Sequence, residues 1–124
     1  KTQYPDSLGK AQEGLIALQT KALATAGNFT QSYPQDSIRK AWVLDPRTGY
    51  PLNHGLLQTT VFANDPKAAA ILSESLLVRG WKEAIRIDEE RKDVEMVLVY
   101  FEKGKGLTTY YSLELKSFLS FPIQ

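Results

Sequence analysis

The sequence predicts an α+β domain in which helices pack on one face of a mainly antiparallel sheet. Three observations carry that expectation. Strand-like runs rich in β-branched and aromatic residues lie before and after a central helical region. Asn64-Asp65-Pro66 gives a sharp helix start, because Asp65 can cap orphan amides and Pro66 suits the first helical position. Lys103-Gly104-Lys105-Gly106 separates two strand-like runs in the manner of a hairpin. The order strands, helices, strands is that of a layered α+β structure. With 124 residues, 43% hydrophobic and 23% charged, the chain suits one domain over residues 1–124 with a single core.

Taken in order, residues 8–24 support two readings. Leu8, Ala11, Leu15, Leu18 and Ala22 have helical spacing, yet Gly14 interrupts them and Leu15 to Leu18 suits a strand. Gly27 to Arg39, rich in Asn28, Ser32, Pro34, Asp36 and Ser37, reads as a loop or hairpin connection. A short strand is expected at Lys40 to Leu44. Asp45-Pro46-Arg47-Thr48-Gly49 is a turn, since Pro46 presets its φ and Gly49 tolerates a positive one. Asn53-His54-Gly55 breaks the chain again before a strand at Leu56 to Ala63. The helix from Pro66 carries Ala69, Leu72, Leu76 and Val78 as its apolar stripe, Gly80 ends it, and Trp81 to Glu90 continues as a second helix. Val94 to Phe101 and Leu107 to Leu115 are the closing strands.

Composition excludes several functions. Fifteen Lys and Arg against fourteen Asp and Glu leave a net charge of +1, no field for steering toward nucleic acid or acidic membranes. The absence of cysteine removes thiolate nucleophiles, Cys-ligated metals and disulfides. Apolar runs such as Val97 to Phe101 fall far short of the roughly 20 residues that cross a bilayer. The first residue is Lys1 rather than Met, so a processed or trimmed chain is expected. No Ser-His-Asp constellation or metal-ligand cluster supports a hydrolase.

Ala22-Leu23-Ala24-Thr25-Ala26-Gly27-Asn28-Phe29, followed by Asp45-Pro46-Arg47-Thr48-Gly49-Tyr50-Pro51, resembles the core of the ApbE-type FAD:protein FMN transferases. The resemblance continues through Leu57 to Ala63, Asp65 to Gly80 and Val94 to Phe121. It covers only the C-terminal portion of that family's domain; the N-terminal part that completes the flavin cleft has no counterpart in these residues. It implies a tunnelling-fold-like architecture, with strands at Gly14 to Leu18 and Lys21 to Thr25. It further implies FAD as the bound nucleotide and a divalent metal, usually magnesium, on the diphosphate, while FMN passes to a threonine hydroxyl of a target flavoprotein. A periplasmic or cell-envelope location follows from the same resemblance, as does a partner subunit or second copy completing the cleft.

On that resemblance the cofactor-binding residues are Thr25, Gly27, Asp45, Arg47 and Thr48. Thr25 and Gly27 would set backbone amides against a ligand, and the Arg47 guanidinium would meet a phosphate. Each has a blander reading: a strand-ending turn, an Asp bonding its own backbone, a solvated arginine.

Three departures stand at functional positions. The family's His, three residues before the turn Asp, is replaced by Trp42, whose indole donates but cannot serve as a base. Aligned on Gly80, the family's metal-binding Asp and Thr fall at Ala70, which supplies no ligand, and Glu74, whose reach differs from threonine's. The Ser of the family's Ala-Thr-Ser-Gly turn is Ala26. A general base alone contributes about 10²–10⁴ in rate. The expectation is therefore a degenerate relative, with no catalytic and no metal residues and magnesium disfavoured; the alternative is a non-catalytic flavin-nucleotide-binding or subunit-assembly module.

The remaining chemistry-bearing residues have structural readings. His54, the one imidazole, is expected in an exposed turn, and Glu74 on a solvated helix face. Trp42, Trp81, Tyr110 and Tyr111 could stack on a flavin ring but suit a core. Lys103 and Lys105 read as solvated loop lysines, and the Asp88 to Asp93 charge run as an exposed face and loop.

Overall fold

A computed structural model describes residues 2–5, 11–16, 20–27, 43–52, 54–115 and 119–120. The chain runs through β1 (Thr2–Pro5), β2 (Ala11–Ile16), β3 (Ala22–Gly27), β4 (Leu56–Ala63), α1 (Pro66–Arg79), α2 (Trp81–Glu90), β5 (Glu95–Glu102), β6 (Gly106–Tyr111) and β7 (Leu119–Ser120). Two sheets result, a three-stranded one in the order β1-β2-β7 and a four-stranded one in the order β3-β4-β5-β6. Every pairing is antiparallel. The expected α+β class is what forms, with α1 packed on β3 and β4, and α2 on α1 and β5.

Local chemistry explains the helix boundaries. The Asp65 carboxylate accepts from the Lys67 amide at 3.0 Å, and Pro66 opens α1 at the position where a missing N–H costs nothing. Gly80, at φ +97°, closes α1 by donating its amide to the Leu76 carbonyl at 3.0 Å. Its own carbonyl accepts the Ala84 amide at 3.0 Å and so begins α2. One residue thus ends one helix and opens the next.

The core lies between the helices and the four-stranded sheet. Leu56, Val61, Ala69, Leu76, Ala84, Met96 and Leu98 are buried in it, with Ala24, Ala26 and Trp81 packed against its margin. Each such leucine contributes about 1.5–3 kcal/mol by leaving water. Strand alternation sends Phe62 and Val97 to the opposite face, where they pack with Leu115, Leu23 and Tyr111. Trp81 stacks on Tyr100, ring centroids 4.4 Å apart and planes 10° apart. Trp81, Tyr110 and Tyr111 therefore follow their structural reading, whereas Trp42 lies outside the described residues.

Several boundaries differ from expectation. The ambiguous early segment is strand, at Ala11–Ile16 and Ala22–Gly27. Gly27, expected in a loop, is the last residue of β3, and residues 28–42 lie outside the described residues. Of the expected strand Lys40 to Leu44, only Val43 and Leu44 lie among the described residues, and there Leu44 forms a bridge with Pro51. Leu107 to Leu115 is not one strand. β6 stops at Tyr111, and Ser112 turns inward to accept the Met96 amide at 2.7 Å before a single 3₁₀ turn at Leu113–Leu115. Among the described residues no helix is long and apolar enough to cross a membrane.

Candidate functional site

The Asp45 turn is built by its own side chains. The Gly49 amide donates to the Asp45 carbonyl at 2.7 Å, and the Asp45 amide to the Tyr50 carbonyl at 2.8 Å. The Asp45 carboxylate accepts the Arg47 amide at 2.9 Å, which is the Asx geometry expected before proline. It then takes the Arg47 guanidinium in a fork, Nε to Oδ1 at 3.1 Å and Nη2 to Oδ2 at 3.0 Å. These bonds to Arg47 hold the Asp45 carboxyl below its ordinary value. The Thr48 hydroxyl accepts the Tyr50 amide at 3.2 Å. The turn is thus locked without any ligand, and two of the five guanidinium donors of Arg47 are already taken.

A hollow of 490 Å³ opens beside this turn, lined by Pro46 and Arg47 together with Ser75, Val78, Arg79 and Glu83 from the helices. Sequence reasoning missed Ser75, Arg79 and Glu83. Arg79 and Glu83, 3.9 Å apart across the helix junction, have the spacing of an i,i+4 pair, which was the available signal.

Thr25 and Gly27 are placed elsewhere. Thr25 is exposed on β3, its hydroxyl 3.0 Å from that of Thr60 directly across the ladder. Gly27 pairs with Gln58. Both lie outside the hollow beside Arg47, so the described residues gather Arg47 but not Thr25 and Gly27 around it. Ala26 packs against the helix-side core, where its methyl fills space that a hydroxyl would leave polar.

Ala70 and Glu74 are exposed on α1, four residues apart and so on one face. At the two positions that the resemblance gives to oxygen ligands, this face carries one methyl and one carboxylate. Among the described residues no group of three or more His, Cys, Asp or Glu side chains converges where a metal could be held. Magnesium takes near-octahedral oxygen coordination, and of these two positions only Glu74 carries an oxygen ligand.

His54 is half-buried rather than exposed. Its Nε2 lies 3.1 Å from the Val78 carbonyl and its Nδ1 accepts the Leu56 amide at 3.3 Å. A Cβ at Gly80 would stand 3.1 Å from the imidazole, so the space the ring occupies exists because residue 80 is glycine. Both ring nitrogens serve structure, and the reading without chemistry fits the geometry.

Comparison with known proteins places this architecture. The ApbE family model matches residues 2–98. The FAD:protein FMN transferase of Salmonella typhimurium is 28% identical over 117 residues, 94% of this chain and 33% of that protein. That of Haemophilus influenzae is 30% identical over 103 residues, covering 82% of this chain and 30% of the relative. Among solved structures, the flavin transferase ApbE from Vibrio cholerae superposes with a TM-score of 0.75 at 24% identity, over 94% of this chain and 36% of that one. The ApbE protein of Thermotoga maritima gives 0.64 at 30% identity, over 83% and 32%. The chain spans about a third of the length of the curated relatives it matches.

Proposed function

The chain belongs to the ApbE family, and from that premise we propose that it is a degenerate flavin-transferase domain with little or no FMN-transfer activity of its own. The carrying observation is on α1. At the positions that the family resemblance gives to metal ligands stand Ala70 and Glu74, both exposed, and among the described residues no group of three or more His, Cys, Asp or Glu could hold a metal ion. A divalent cation would neutralise charge on the departing nucleotide, and of these two positions only Glu74 offers an oxygen to hold it. Replacement of the family His by Trp42 removes the proton acceptor as well.

The chain is read as the C-terminal portion of the family's domain, with the rest of the cleft supplied by further polypeptide, whether of a longer chain, a partner subunit or a second copy. The proposed compartment, on family resemblance, is the periplasm or cell envelope. A second reading is a module that holds a flavin nucleotide, or a subunit, without chemistry. It is favoured by the Asp45 turn, whose fork to Arg47 is complete although the residues for catalysis are replaced.

The first reading is tested by incubating the protein with FAD, magnesium and a threonine-bearing acceptor peptide and weighing the peptide. An unchanged peptide mass is expected; an added FMN mass overturns the proposal. Titration with FAD, followed by flavin fluorescence, tests the second, which predicts saturable quenching and fails if none occurs.

A further inference from the structure

Among the described residues the four-stranded sheet ends at β6, which pairs with β5 alone. Sheet edges are ordinarily blunted by charge, proline or a bulge. From Gly106 to Tyr111 there is no charged residue and no proline, and the register with β5 is unbroken. The opposite edge, β3, carries Thr25 and Gly27 and belongs to the site already described.

Two hydrogen bonds fix which backbone groups of β6 face outward. Just past the strand, the Ser112 amide donates to the Met96 carbonyl at 2.9 Å, toward β5. On β5 the Phe101 amide, opposite Leu107, donates instead to the Gly55 carbonyl at 2.8 Å, on the β4 side. Backbone direction alternates along an antiparallel strand, so Thr108 and Tyr110 bond toward β5, while the N–H and C=O of Leu107 and Thr109 point away from the sheet. Thr109 is exposed at the middle of that edge.

We propose that β6 pairs antiparallel with β6 of a second copy about a two-fold axis at Thr109, joining the two sheets into one. The strand is self-complementary about that residue. The axis sets Leu107 of one copy against Tyr111 of the other, so the cross-strand row Phe101–Leu107 runs on into Tyr111–Val97. Phe101, 56% exposed on the face away from the helices, then ends a continuous apolar row. Charge matches as well. The axis brings the basic hairpin of one copy to the far end of β6 in the other, where a hollow is lined by Asp88, Glu89, Glu95 and Glu114 against Arg91 and Lys92. Within that hairpin Lys105 engages Glu102 at 3.3 Å, whereas Lys103 makes no ion pair among the described residues. The pairing is independent of the flavin reading and does not require either copy to complete the other's cleft.

Sedimentation equilibrium of the protein at about 100 µM tests the pairing, and a dimer is expected. Thr109→Pro removes an outward N–H and leaves the β5 ladder untouched, so association should weaken at least about tenfold while the amide spectrum stays dispersed. Cross-linking reads the register. The chain has no cysteine, and facing residues of a hydrogen-bonded antiparallel pair stand about 5.5 Å apart at Cα, inside the disulfide range of about 4.4–6.8 Å. In air, Thr109→Cys should form a covalent dimer at least about tenfold faster than Leu113→Cys, an exposed position away from the axis. A monomeric protein overturns the proposal, whether the edge is then bare or covered by another segment. So does a dimer that Thr109→Pro leaves intact, or equal cross-linking at the two cysteines. Should the proline variant fail to fold, Thr109→Lys, which sets two ammonium groups face to face across the axis, takes its place.

Discussion

The Tyr110 hydroxyl donates to the Asp88 carboxylate at 2.6 Å, joining β6 to the last turn of α2. The other oxygen of Asp88 accepts the Ser112 hydroxyl at 2.5 Å. Burial first, and then the hydrogen bond and charge of Asp88, push the ionisation of Tyr110 well above the ordinary 10.0. Because the folded value is raised, the stability tied to the neutral phenol is complete below pH 10.0 and is lost as pH rises above it. Tyr110→Phe should cost about 1 kcal/mol at neutral pH and flatten this alkaline loss. Denaturant melts across the alkaline range, with the phenolate absorbance followed in parallel, check both.

Thr59 donates to the Ser73 carbonyl at 2.6 Å, and both residues are buried between β4 and α1. Thr59→Val keeps the shape and removes the bond, for an expected loss of about 1 kcal/mol. Leu76→Ala, in the same layer, should cost about 2–5 kcal/mol through the cavity it leaves. Urea midpoints at constant slope would measure the two.

Gly55→Ala places a methyl against the Phe101 carbonyl in a backbone region that side chains avoid. A loss of at least about 2 kcal/mol is expected. Gly49→Ala, also at positive φ but facing open space, should cost about 1 kcal/mol. Thermal melts of the pair separate the clash from the conformational strain.

The Asp45 carboxyl is held below the ordinary 3.8 chiefly by its side-chain hydrogen bonds from Arg47. A lowered folded value means that the contribution of the pair is present above pH 3.8 and disappears as pH falls through the lower folded value. Carboxyl carbon shifts should show Asp45 titrating late in the acid range, and Arg47→Gln should return it toward 3.8.

What could be read from the sequence was whatever is decided locally. Asp65-Pro66, Gly80 and the Lys103 to Gly106 hairpin carry their own chemistry within a few residues, and each appears where expected. The Asp88 to Asp93 run is exposed from Glu89 to Asp93 as expected, and Asp88 alone departs from it, because it finds partners 22 and 24 residues away. His54 departs in the same way: the space for its ring is created by the missing Cβ of Gly80, on another element. At the candidate site, the Asp45 turn was legible because an Asx turn is local, but the hollow beside it depends on Ser75, Arg79 and Glu83, which only packing brings there.

On the proposed reading α1 keeps the frame of a magnesium site without the side chains to hold the ion, and the decisive measurement is calorimetric titration of magnesium into the protein, with and without FAD. No saturable heat is expected in either case. A stoichiometric site, abolished by Glu74→Ala, would contradict it.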